Sequence, residues 1–193
     1  MAILDRLTLF TGTASGASGG ITSGSYTDAP TTGTQVASNV IDIGISGLPA
    51  SASGGGARDL GIGDDPALKL LAVVTGYTSG GTNIQVQLQG APDNGSGSPG
   101  SYTTMWTGPL VTATQISTAA SLSTPGQTYL ANVDFPRPVP GQAMPRFFQL
   151  NFISTGTFVG LTVEAAVVLD RFDQIVGTSG ALSGMPAGIY IAN

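Results

Sequence analysis

The residue types that most often perform catalysis are scarce in this chain. Its 193 residues include no histidine and no cysteine, which removes the commonest general base, the usual partner of a serine nucleophile and any thiolate nucleophile. Zinc sites built from cysteine and histidine are excluded as well, so only metals that prefer oxygen ligands remain. An enzyme would have to work through aspartate, serine, tyrosine or the single glutamate, Glu164. We therefore expect a protein that is not an enzyme and that holds no cofactor and no metal.

Two short charged segments are the strongest remaining candidates for a site. The first contains Asp59, Asp64 and Asp65. It could form a Ca²⁺ loop or a carboxylate pair, but it lacks the EF-hand spacing, and a turn with aspartates bonded to backbone N–H groups explains it better. The second contains Arg171 and Asp173, and it could dock on a partner or form a local surface salt bridge of at most about 1 kcal/mol. We predict that both segments, together with Arg58, contribute to an interface.

Two further patterns have ordinary structural explanations. The glycine-rich stretches lack the Gly-Lys-Ser/Thr ending of a P-loop, so they indicate tight turns or extended arms. Trp106 and Tyr102 could stack on a sugar, although a chain in which aromatic residues make up 7% needs them first for its core. A carbohydrate-binding module therefore remains an alternative.

The low charge of the chain constrains its partners. Charged residues make up 9% of the sequence, against about 25% in ordinary soluble domains. A compact protein of this size exposes roughly 8,500 Å², so its charges are sparse, and contact of much of the surface with other protein chains would explain this. With six basic residues and a net charge of −5, a nucleic-acid partner is not expected.

No apolar run reaches the length of a membrane span, and MAILDRLTLF lacks the pattern of an export signal, so we expect synthesis in the cytoplasm.

Alternating apolar residues predict an all-β protein. Ile84, Val86 and Leu88 alternate with glutamines, the segment 146–154 repeats the pattern, and the apolar run 68–74 suggests a strand buried on both faces. Further candidate strands include the segment 110–116, and clusters of Gly, Pro, Asn and Asp separate the runs. The number and spacing of strands favour an antiparallel β-sandwich resembling a jelly roll. With a single lysine in the chain, prolines, bulges or a neighbouring subunit must protect the sheet edges.

The first third of the chain has a different composition. We predict that residues 1–60 form an extended arm rich in Gly, Ser and Thr, with the first strand or strands, and that residues 61–193 form the sandwich of the same unit. The apolar residues Leu7, Leu9 and Phe10 at the start of this arm are candidate contacts with a partner. If the arm binds a neighbouring subunit as an added strand, deletion of residues 1–35 should abolish binding and leave the domain folded.

Six segments lie in order along nearly the whole chain: 10–24, 55–66, 89–97, 141–147, 169–174 and 186–193. Together they resemble the capsid cement (decoration) protein family of short-tailed, Bordetella-type tailed phages. The resemblance implies a jelly-roll subunit that binds the exterior of the expanded head, bridges capsomers of the major capsid protein and forms a homodimer, with a trimer as the alternative. It implies no catalytic residues and a location on the outside of the virion. A tail or fibre sandwich is a further alternative.

Overall fold

The computed structural model describes residues 9–12, 27–44, 68–121, 128–137 and 144–168. Within these residues the protein is an all-β sandwich of antiparallel sheets, with one short helix. This confirms the predicted fold class, and the jelly-roll connectivity stays a prediction. The elements, numbered in chain order, are β1 (Gly33–Val36), β2 (Ile41–Asp42), β3 (Lys69–Gly76), β4 (Ser79–Gly80), β5 (Asn83–Ala91), β6 (Thr103–Thr107), β7 (Val111–Thr112), α1 (Ala113–Ser121), β8 (Thr128–Asp134), β9 (Phe147–Thr155), β10 (Phe158–Val159) and β11 (Thr162–Val168).

Two sheets form the layers of the sandwich. The large sheet has the order β1-β9-β5-β6, with β2 paired to β9 and β7 paired to β5, and the small sheet has the order β11-β3-β8. The strands β4 and β10 form a separate two-stranded ribbon. The small sheet is extended by the bridge between Leu9 and Ala166 and by the bridge between Asp28 and Val163. The chain therefore reaches both sheets before β3 begins.

The core lies between the two sheets and follows from the alternation seen in the sequence. On β5 the side chains of Ile84, Val86 and Leu88 are fully buried, whereas the glutamines between them are half-buried. The inward side chains of β9 repeat this pattern, and β3 and β11 supply apolar residues from the opposite layer. Strand β3 is also buried on its second face, where Leu71 and Val73 belong to a smaller apolar cluster. This confirms the prediction of a strand buried on both faces.

The segment 110–116 was predicted as a strand, and the structure corrects this prediction. Only Val111 and Thr112 are extended, and α1 begins at Ala113. Thr112 forms a capping box, because its Oγ1 accepts from Gln115 N–H at 3.2 Å while Gln115 Oε1 accepts from Thr112 N–H at 2.8 Å. Ile116 anchors the helix in the core, with 1% of its surface exposed.

The described parts of the N-terminal arm are built into the sandwich. Phe10 is fully buried in the main core, and β1 pairs with β9 from Gly33 to Val36. Deletion of residues 1–35 would therefore remove a core side chain and most of an edge strand. We now expect that deletion to destabilise the domain itself, contrary to the expectation drawn from the sequence.

The capping box gives a first testable prediction. Replacement of Thr112 by alanine removes the side-chain acceptor for Gln115 N–H and should lower the free energy of unfolding by about 1 kcal/mol. Thr114→Ala, at an exposed position in the first turn of α1, is the matched control and should change stability by less than about 0.5 kcal/mol. Urea denaturation followed by circular dichroism measures both. Equal stability of the two variants would contradict the capping role.

Candidate interaction surface

The outward face of the large sheet carries a row of amide side chains, which we call the amide row: Gln85, Gln87, Gln89 and Gln149. These residues lie on the face opposite the core because they alternate with the fully buried residues of β5 and β9. Gln89 and Gln149 are directly opposite each other in the register of the two strands. The row therefore crosses from one central strand of the large sheet to the next.

Hydrogen bonds join the amide row across three strands. Gln149 Nε2 donates to Gln89 Oε1 at 2.8 Å, and Gln89 Nε2 donates to Gln87 Oε1 at 3.0 Å. Gln87 Nε2 reaches Thr107 Oγ1 on β6 at 3.4 Å, and Gln85 Nε2 donates to Gly108 O at 2.7 Å. Amides bonded in this way lose fewer rotamers when a partner covers them, because their orientations are already restricted.

The large sheet is almost without charge. Asp42 on β2 is the one charged residue in its six strands, and both carboxylate oxygens of Asp42 accept from Arg146, at 2.8 and 2.9 Å. The amide row itself contains no ionisable group. A partner that covers this face would have no unpaired charge to desolvate, which is the largest cost of burying a polar surface.

Arg146 clamps one end of the large sheet. Besides Asp42 it binds Asp93, and its guanidinium lies 4.7 Å from the ring centroid of Phe147. Its side chain is 10% exposed. Hydrogen bonds to Asp42 raise the pKa of Arg146 above its ordinary value, with a smaller contribution from Asp93. The guanidinium therefore stays charged and holds β2, β9 and the loop that follows β5 together.

The loop held by Arg146 is an exposed projection with a defined shape. Asp93 Oδ1 accepts from Gly95 N–H at 2.7 Å and from Gly97 N–H at 3.1 Å, and Asn94 N–H donates to Ser98 O at 3.0 Å. Gly95 and Gly97 have φ of 90° and 81°, a conformation in which a side chain would be strained. These bonds form a turn in one of the clusters of Gly, Pro, Asn and Asp that separate the predicted strands.

Of the candidate interface residues, two are described and both lie inside the protein. Leu9 belongs to the smaller apolar cluster with 6% of its surface exposed, and Phe10 is fully buried in the main core. Their side chains serve this domain and offer almost no surface to a partner. The other candidates lie outside the described residues: Leu7, Arg58, Asp59, Asp64, Asp65, Arg171 and Asp173.

Glu164 lies apart from the amide row and from Arg146. One oxygen of its carboxyl is buried and has no hydrogen-bond partner among the described residues, and burial raises the pKa of this carboxyl. It lies opposite Val73 in the small sheet. In the described ranges, no three acidic residues come together as metal ligands. The helix α1, the one helix in those ranges, is not long and apolar enough to span a membrane.

Sequence reasoning missed both the amide row and the Arg146 clamp. The alternation of glutamines with apolar residues predicts a strand, and the same alternation places the glutamines on one face of it. The clamp had no local signal, because Arg146 is separated from Asp42 by 104 residues and from Asp93 by 53.

Comparison with protein-family models finds none that matches, and comparison with curated proteins finds no significant relative.

The clamp predicts how stability responds to acid. Hydrogen bonds from Gly95 and Gly97, together with Arg146, hold the pKa of Asp93 below its ordinary value of 3.8. A carboxyl with a lowered pKa in the folded state stabilises the protein above its unfolded pKa and loses that contribution as the pH falls through the folded pKa. We expect Asp93→Asn to lose thermal stability at pH 7 and to show a smaller further loss than the parent below about pH 4.

The control for this prediction is Asp134→Asn, which removes the partner of Lys69 on the protein surface. Side chains of this pair are 31% and 70% exposed, so their interaction should contribute little. Melting curves between pH 2.5 and about pH 7 for the parent and both variants provide the measurement. A parent and Asp93→Asn variant that respond identically to acid would show that the Asp93 contacts do not stabilise the fold.

Proposed function

We propose that this protein is a structural, non-enzymatic virion subunit that binds the exterior of the expanded head of a tailed phage and bridges neighbouring capsomers of the major capsid protein. The proposal rests on the nearly uncharged outward face of the large sheet, where the amide row lies and where the one charged strand residue, Asp42, is paired with Arg146. It is supported by the resemblance of ordered segments of the sequence to capsid cement proteins and by the low charge of the whole chain.

The physical basis of binding would be many modest contacts. Bonded amides and threonines contribute hydrogen bonds to a partner, and the apolar side chain of Ile153 on the same face contributes limited apolar burial. A protein that contacts two capsomers makes its second contact intramolecularly, and avidity then rises by about 10²–10⁴. Contacts present only in the assembled shell stabilise that shell, because binding to one state shifts the equilibrium towards it.

Two other functions would place different demands on the same surface. A tail or fibre sandwich would use the same kind of uncharged face, so the location in the virion distinguishes it from a cement protein. A carbohydrate-binding module needs exposed aromatic rings, whereas Trp106 packs against the main core and Tyr102 is half-buried. We therefore place the cement role first and keep the tail component as the second candidate.

The decisive experiment is gradient co-sedimentation of the purified protein with expanded phage heads from which this protein has been removed. We expect saturable binding at a fixed ratio to the major capsid protein and heads that disrupt at a higher temperature. Absence of binding to intact expanded heads would contradict the proposal. Recovery of the protein in tail fractions would then support the second candidate.

The amide row gives a sharper prediction about the binding face. Gln87→Arg places a charge in the middle of the row and should weaken head binding at least about tenfold, because that charge must be desolvated in the contact. Thr114→Arg adds the same charge on an exposed position of α1 and should bind like the parent. Binding of the parent should also change little between about 0.1 and 0.5 M NaCl, since few charges are involved.

Melting curves for both arginine variants show whether each is folded before binding is measured. If Gln87→Arg is folded and binds heads as tightly as Thr114→Arg, the amide row is not the contact face. A steep loss of parent binding with salt would indicate a contact formed by charged segments instead.

A further inference from the structure

The strand β1 is an outermost strand of the large sheet, and one of its edges is open. Ala37 N–H donates to Leu150 O at 2.8 Å. In the register of β1 with β9, the backbone N–H and C=O groups of the odd-numbered residues of β1 therefore point towards β9. The backbone N–H and C=O groups of Thr34 and Val36 consequently point away from the sheet. Among the described residues, no hydrogen bond pairs these four groups.

This edge lacks the usual protection against strand pairing. Edge strands are commonly guarded by lysine, proline, inward-pointing charges or a bulge, and the sequence Gly-Thr-Gln-Val of β1 contains no charge and no proline. Thr34 and Val36 are exposed, and Val36 has 55% of its surface exposed. Val40, just beyond the strand, is 45% exposed. An uncharged open edge with two exposed valines favours addition of another strand.

We propose that β1 pairs antiparallel with β1 of a second copy of this chain, across a two-fold axis at Gln35. In this arrangement Thr34 lies opposite Val36 of the other copy, and each such pair exchanges two backbone hydrogen bonds. The two-fold axis repeats the pair, so all eight open backbone groups of the two strands are satisfied. The pairing joins the two large sheets into one continuous sheet and places the two amide rows on the same face of it.

The neighbouring residues select this register. A register centred on Val36 would pair Thr34 with Ser38, but Ser38 N–H already donates to Asp28 Oδ2 at 2.7 Å. A register centred on Thr34 would need Thr32 as an extended residue, yet Thr32 lies in a bend before Gly33, whose φ is 71°. Only the register centred on Gln35 uses both open residues without breaking an existing contact.

The partner is a second copy because the open edge is self-complementary. A two-fold contact uses the same surface on both subunits and therefore closes, so it does not grow into a filament. Four-residue strands bury little area, and a contact at the small end of the range for protein interfaces should be weak and concentration-dependent. This proposal rests on the proposed structural role for its biological meaning, because a weak dimer becomes effective when both copies bind one shell.

The test uses the absence of cysteine from the chain. In the proposed register the Cα atoms of Gln35 and its symmetry mate are about 4.5 Å apart, within the range that a disulfide spans. The full-length Gln35→Cys variant, incubated with oxidised glutathione, should form a covalent dimer at least fivefold faster than Thr34→Cys. Thr34 lies diagonally from its own mate at about 7–8 Å, beyond disulfide range. Equal rates for the two variants, or faster crosslinking of Thr34→Cys, would overturn the register.

A second pair of variants tests the edge without a crosslink. Val36→Lys adds a charge to the open edge, whereas Leu110→Lys changes an exposed apolar residue beside β7 at the other side of the large sheet. Sedimentation equilibrium of the purified protein should show dimer for the parent and for Leu110→Lys and monomer for Val36→Lys. A monomeric parent at millimolar concentration, or a Val36→Lys dimer as stable as that of the parent, would overturn the proposal. Neither measurement involves phage heads, so its failure is distinct from failure of head binding.

Discussion

The pairing of β5 with β9 is the contact on which the other parts of the structure depend. Nine consecutive residue pairs join Asn83–Ala91 to Phe147–Thr155 without a shift in register. Strand β5 places apolar side chains on one face and glutamines on the other, and β9 places Phe148, Leu150 and Phe152 in the core and Gln149 on the outward face. One pairing therefore creates both one side of the core and the amide row. A slip of one residue would exchange the two faces and bury the glutamines. The alternation in both strands therefore specifies their register strongly.

The flanking strands attach to this central pair in two different ways. On one side β6 follows β5 with a bulge between Leu88 and Gln89, which increases local twist. On the other side β1 and β2 pair with β9 in succession, at Gly33–Val36 and Ile41–Asp42. The bend between β1 and β2 is held by Asp28, whose carboxylate accepts from the backbone of Gly12 and Ser38. The half-buried aspartates Asp28, Asp42 and Asp93 thus connect distant segments where the chain has few other charges.

The distribution of charge also explains why the proposed surfaces are uncharged. Arg146 pairs with both Asp42 and Asp93 at one end of the large sheet, and Lys69 is paired with Asp134 on the small sheet. The broad face and the open β1 edge are left to amides, hydroxyls and valines. Such surfaces contribute weakly per contact, so they suit a protein whose effect comes from many copies on one large assembly. Long-range electrostatic steering would contribute little to association of these surfaces.

The sequence by itself determined the fold class, the main strands and the inward residues of β5 and β9, because alternation is a local property of a strand. It also contained the Thr112–Gln115 capping box, which reading by apolar pattern alone overlooked. The tertiary structure decided what local patterns do not encode. It brought Arg146 to aspartates 53 and 104 residues away, and it placed Phe10 in the core although composition suggested an extended arm that contacts a partner. These contacts depend on which strands become neighbours, and that choice is made by packing of the whole chain.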